Sequence, residues 1–270
     1  MNYQNFKLTS KDHVAHISFN RPEKANALNE QSWKELKDVF ERADTDPDIR
    51  VVVLQGEGRN FCAGIDHSML MQIGNSENGT CQARKREQVR DSISYLQSCI
   101  SAIEKCRKPV IAAIQRACVG GGVDIISACD MRFCTADAFF SIKEVDMGLV
   151  ADVGTFQRLP KILNPGIMAE LAYTGRNVYA KEAQQIGLVN RAFDDYDLMM
   201  EHVNDLAKEI ASKSPLVIRG TKEILLYTRD HSVDESLQYM ATYNAAYLIS
   251  DDIAKALNSY VSKSPPVFDN

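Results

Sequence analysis

The sequence predicts a layered α/β fold, and three observations carry that reading. Short apolar runs of strand length alternate with longer helical stretches over the first two thirds of the chain. Two glycine-bearing turns each follow one of the buried runs, and from about residue 196 the pattern becomes consecutive helix. Alternation of this kind favours strands covered by helices over a sandwich. With 270 residues, 45% of them hydrophobic and 25% charged, the chain can bury a normal core. The expected division is a core over residues 1–195 and a helical region over 196–270 that serves packing and oligomerisation.

Taken in order, "HVAHISFN" (13–20) alternates as a half-buried strand, and "NEQSWKELKDVFERA" (29–43) has helical periodicity. "RVVVLQG" (50–56) and "PVIAAI" (109–114) read as buried strands. Between them "MQIGNSENGTCQARKREQVRD" (71–91) reads as a polar surface loop running into a helix. "QRACVGGG" (115–122) reads as a turn and "VDIISAC" (123–129) as the first turns of a helix. Four helical segments close the chain, over 195–214, 215–230, 232–250 and 251–263. Pro215 suits a first helical turn, and Asp251 is placed to cap the last helix.

Composition excludes several function classes. A net charge of −5 and a pI near 5.6 provide no general field for nucleic acid or anionic membrane. No apolar run approaches membrane-spanning length. The seven cysteines are odd in number and lack CxxC spacing, which fits a reducing compartment. The N-terminal twenty residues show neither a secretory nor a transit pattern, and "SPPVFDN" is not a peroxisomal ending, so the expected location is cytoplasmic. The sequon at Asn78 is read as chance. The histidines show no metal-ligand spacing, and no nucleophile elbow surrounds a Ser or Cys.

The chemistry concentrates in the two turns. Backbone N–H groups near Gly121, at the start of a helix, can point outward unpaired and hold an oxyanion. "GRNFCAGID" (58–66) is a second such turn, so two donors can converge on one carbonyl oxygen. A turn of three consecutive glycines is not GxGxxG, which disfavours a dinucleotide site.

With these two turns, and with "FNRPEKANALN", "KPVIAAI", "ACDMRFCTADAFFSIKEVDMGLVADVGTFQRLP" and "AKEAQQIGLVNRAF", the chain resembles the crotonase (enoyl-CoA hydratase/isomerase) family over nearly its whole length. The resemblance implies a crotonase-like spiral ββα core with a C-terminal helical region. It also implies an acyl-CoA thioester substrate whose oxygen lies between the N–H groups of Ile65 and Gly121. It implies no metal and no redox cofactor, CoA being part of the substrate, and a homotrimer or homohexamer. By family position, Lys24, Ala25, Ala27, Ala63, Gly64, Asp66, His67 and Gly122 are candidates for substrate or CoA contact.

Three carboxylates mark the reaction. Motif correspondence places Asp124 and Glu144 where hydratases of the family carry their acid/base glutamates, and Asp152 is an additional acid. The trio resembles the branch that moves two double bonds from the 3,5 to the 2,4 positions of a dienoyl-CoA. In that reading Glu144 removes a proton at carbon 2, Asp152 supplies one at carbon 6, and Asp124 is a secondary polar group. Each local spacing is equally that of a helix cap or a solvated dipole partner, a reading kept for Asp146. Another crotonase-type acyl-CoA reaction, chiefly hydration of a 2-enoyl-CoA resting on Asp124 and Glu144 alone, is the alternative. A non-catalytic binding member of the fold is disfavoured by the intact carboxylate set.

Overall fold

The computed structural model describes residues 3–66, 68–69 and 81–270. His67, the Asn78 sequon and most of the polar loop expected before residue 81 lie outside them.

The chain opens with β1 (Phe6–Lys11) and β2 (Val14–Phe19), an antiparallel hairpin in which Lys11 faces Val14. Its two-residue turn, Asp12 and His13, has φ of 50° and 65°, the left-handed pair that matches strand twist. β1 was not anticipated from the sequence. From β2 onward the strands of the large sheet are parallel: β3 (Val51–Gly56), β4 (Val110–Ile114), β6 (Met131–Thr135) and β9 (Arg191–Phe193), in the order β1-β2-β3-β4-β6-β9.

β3 and β4 are apolar throughout because both faces of the sheet are covered. Val52, Leu54, Ala112 and Ile114 enter one core cluster, while Val51, Val53, Ile111 and Ala113 enter another. The first is covered by α1 (Glu30–Thr45) and α2 (Gln82–Lys105). Asn29 caps α1 by accepting from Ser32 N at 2.8 Å, and Leu36, Val39, Phe40 and Ala43 form its buried stripe. The other face is covered by a helix from the C-terminal region, Tyr196–Ala211, through Met199, Val203, Ala207 and Ala211.

The expected turn over 115–122 contains a short strand, β5 (Ala117–Val119). It belongs to a second, three-stranded sheet with β7 (Phe139–Ser141) and β8 (Val178–Tyr179). Strands of two or three residues are too short to show strand periodicity, so the sequence conceals them. Helices Pro215–Asp230, Val233–Tyr247 and Asp251–Ser262 complete the chain. Pro215 occupies the first turn of its helix as expected. Ser250 rather than Asp251 is the N-cap of the last helix, and Asp251 is its first residue.

Candidate active site

The small sheet explains how distant residues meet. β5 and β7 run parallel, Val119 level with Ser141, so their C-terminal ends release the chain side by side. β5 leads into Gly120 and α3 (Gly121–Ser127), which carries Asp124; β7 leads into the 3-10 turn Lys143–Met147, which carries Glu144. The glycine turn at 58–66 joins them through a parallel bridge between Cys62 and Cys118, with Cys62 N donating to Ala117 O at 3.0 Å and Val119 N to Cys62 O at 3.0 Å. Three segments thus present their ends to one place.

The two expected oxyanion donors lie in these ends. Neither Ile65 N nor Gly121 N donates to a protein acceptor among the described residues. Gly64 has φ +90°, and a Cβ there would stand 2.8 Å from Val119 O and 3.4 Å from Gly121 N. Only glycine permits that approach of the two turns. Gly122 serves the same contact, since its Cβ would lie 2.8 Å from Cys62 O.

The segment expected to meet CoA lies alongside. Ala63 N donates to Ala25 O at 3.0 Å, Leu28 N to Gly64 O at 2.7 Å and Asp66 N to Leu28 O at 2.9 Å. Lys24 is exposed at the edge, and Ala25 and Ala27 are half-buried. Ala27 O accepts from Arg21 Nη1. Asp66 is paired with Arg21 at 3.1 Å and accepts from Ser68 N and Oγ at 3.1 and 2.8 Å. The bonds from Ser68 and the Arg21 guanidinium hold its carboxyl below the usual range. That makes Asp66 a brace between the 3-10 turn at Pro22–Lys24 and the first glycine turn.

The carboxylates occupy contrasting environments. Asp124 is fully buried, and its Oδ1 accepts from Thr155 N and Thr155 Oγ1, both at 2.7 Å. Its Oδ2 is buried with no partner among the described residues. Burial raises its pKa to about 6, against the opposing Thr155 bonds, with the Asp152 charge adding and the Arg158 charge subtracting. Glu144 packs on Gly120, and its Oε2 is likewise buried and unpartnered among the described residues. Burial, then the neighbouring Asp124 and Asp152 charges, push it up to about 7. Asp152 keeps an exposed side chain, yet partial burial raises its pKa as well. Glu144 is therefore poised near neutrality, the range in which a carboxyl can exchange a proton readily at neutral pH. Asp146, salt-bridged to Lys143, is exposed and stands apart from this chemistry.

Four residues here were not singled out from the sequence. Thr155 clamps Asp124, and Gln97 Nε2 donates to Asp152 O at 2.7 Å. Arg158 is buried and pairs with Glu104, Nε to Oε1 at 3.1 Å and Nη2 to Oε2 at 3.3 Å. Only Thr155 and Arg158 lie in a motif already conspicuous, "GLVADVGTFQRLP"; Gln97 and Glu104 sit on an ordinary amphipathic helix with no local signal.

Two unpaired amide donors in adjoining glycine turns, near the buried Asp124 and the partly buried Glu144 on a layered α/β frame, fit an acyl-thioester enzyme of the crotonase class. The enoyl-CoA hydratase/isomerase family model matches residues 9–270, and the chain belongs to that family. It is 49% identical over 264 residues to the mitochondrial Delta(3,5)-Delta(2,4)-dienoyl-CoA isomerase of Mus musculus, covering 97% of this chain and 81% of that protein. It is 46% identical over 256 residues to the peroxisomal isomerase of the same name from Arabidopsis thaliana, covering 94% and 92%. The crystal structure of enoyl-CoA hydratase from Bacillus anthracis superimposes with a TM-score of 0.88 at 30% identity, covering 98% of this chain and 99% of that one.

These relatives overturn the expected cytoplasmic location, because they are named mitochondrial and peroxisomal and point to an organelle. The expectation rested on the absence of a recognisable terminal address pattern, and such an absence does not fix a location, because address signals are read by receptors. Among the described residues no helix is long and apolar enough to cross a membrane.

Proposed function

We propose that this chain is a dienoyl-CoA isomerase that converts 3,5-dienoyl-CoA to 2,4-dienoyl-CoA in fatty acid oxidation. The observation that carries the reading is the third carboxylate: Asp152 joins Asp124 and Glu144 in one electrostatically interacting set. The names of the relatives at 46–49% identity support it.

In this reading the thioester oxygen accepts from Ile65 N and Gly121 N, which stabilise the enolate as it forms. Each such donor contributes about 3 kcal/mol in a preorganised site. Glu144 takes the proton at carbon 2; its pKa near 7 keeps it substantially ionised at neutral pH. Asp152 delivers a proton at carbon 6. An acyl chain over its exposed carboxyl would remove it from water and raise its pKa further. The reaction moves protons and π electrons only, so the reading invokes no redox carrier. Lys24, Ala25, Ala27, Ala63, Gly64, Asp66 and Gly122 make up or brace the CoA-side wall; His67, expected to join them, lies outside the described residues.

Residues 1–195 carry the acyl-CoA site, and residues 196–270 serve packing and oligomerisation. Exposed Leu225, Leu237, Leu257 and Val261 on the C-terminal helices, with exposed Ile249 between the last two, support a homotrimer or hexamer. Light scattering at micromolar concentration tests it, and a fully active monomer would count against it. The reaction itself is tested by the ultraviolet signal of the conjugated product. Efficient hydration of 2-enoyl-CoA with 3,5-dienoyl-CoA left unchanged would replace the isomerase reading by the hydratase one.

A further inference from the structure

Thr155 touches Asp124 in a way that selects between its two oxygens. Thr155 is fully buried at the start of the short helix Thr155–Arg158, and both its amide and its hydroxyl donate to Oδ1. A carboxylate oxygen accepting two such bonds has its lone pairs engaged, so an added proton goes to the other oxygen. That other oxygen, Oδ2, is buried and unpartnered among the described residues.

The clamp is itself held from behind. Gly154, with φ +138°, leaves room for Arg158, whose Nη1 lies 1.8 Å from where a Cβ would stand. Arg158 is fixed by Glu104 and by Ser101 Oγ at 3.2 Å. Glu104 also accepts from Arg229, on the C-terminal helix Pro215–Asp230. Polar contacts lead from the C-terminal helix through Glu104 to Arg158, which packs on Gly154, the residue before Thr155.

We propose that Thr155 is a positioning residue that reserves Oδ2 of Asp124 as its single proton-carrying oxygen, so that Asp124 serves the site in one orientation as a proton donor or acceptor. The assignment builds on the isomerase reading. In Asp124→Asn the amide oxygen would occupy the Thr155 clamp and the NH2 would stand where the protonated Oδ2 does, so donation would be kept and proton release lost.

The experiment is Thr155→Val, of nearly equal shape, with Thr155→Ser as the conservative control. Each is assayed on 3,5-dienoyl-CoA and followed by carbon NMR titration of labelled aspartate, with Asp124→Asn identifying the Asp124 signal. Loss of a hydroxyl donor to the charged carboxylate should move the Asp124 midpoint upward from about 6 in the valine variant. Turnover should fall about tenfold or more with KM nearly unchanged, and serine should restore both. An unmoved midpoint, wild-type turnover by Thr155→Val, or a serine variant as impaired as valine would overturn the assignment. The titration reads the clamp without turnover, whereas inactivity of the wild type on the dienoyl substrate would instead strike the isomerase reading.

Discussion

Oε1 of Glu144 lies 3.1 Å from the position that a Cβ on Gly120 would take. Gly120 also has φ +52°, so an alanine there meets both backbone strain and the carboxyl it must not displace. With ψ −119° Gly120 lies outside the left-handed helical region that other residues can reach, so Gly120→Ala should cost about 2–3 kcal/mol of stability from the backbone alone. It should lower turnover by more than its effect on substrate affinity, because a small displacement of the base is magnified in the transition state. Chemical denaturation and steady-state kinetics on one preparation check both parts.

Glu144→Gln should reduce isomerisation by about a hundredfold or more while leaving the fold and acyl-CoA binding in place. Wild-type turnover by this variant would remove Glu144 from the mechanism.

The same substitution should reveal the electrostatic cost of the site. Glu144 has a folded pKa of about 7 against an ordinary 4.5, so the folded state binds its proton more tightly than the unfolded state. Its contribution to stability is present below about pH 4.5 and lost as pH rises through about 7. Glu144→Gln should therefore gain in melting temperature relative to wild type between pH 5 and pH 8. A difference that stays flat over that window would show that the carboxyl is not desolvated in the folded chain. The wild-type kcat/KM should rise over the same range as the free carboxylate forms.

Asp152→Asn should abolish formation of the 2,4-dienoyl product yet leave exchange of the carbon 2 proton in deuterated water, since the base and both amide donors remain. Loss of exchange along with product would mean that Asp152 acts at carbon 2.

Glu104→Gln removes the negative charge shared by Arg158 and Arg229 and turns one acceptor oxygen into an NH2 donor, at ion pairs largely shielded from water. A buried guanidinium left without its carboxylate should destabilise the fold by about 3 kcal/mol. Urea denaturation measures it, and an unchanged midpoint with an unchanged slope would show the pair to be dispensable.

Much of the architecture is legible in the chain because it depends on local periodicity. The apolar runs at 50–56 and 109–114, the stripe of Leu36, Val39, Phe40 and Ala43, and the C-terminal helices repeat with the period of the element they form. The glycine turns at 64 and 120–122 and the carboxylates at 124, 144 and 152 are equally visible, since glycine and buried acid are costly choices outside a purpose.

What the sequence by itself determined is the strand and helix grammar, the family motifs and the residue types available for chemistry. Only the tertiary structure decided how β5 and β7 lie in parallel so that Asp124 and Glu144 emerge together, and that Thr155 clamps one oxygen of Asp124. It alone decided that burial and neighbouring charge raise Glu144 to about 7, and that Glu104 ties Arg158 to Arg229 from 125 residues away in the chain. The physical reason is range: periodicity and turn preference act over a few residues, whereas desolvation, charge coupling and hydrogen-bond selection depend on which distant segments share one low-dielectric space.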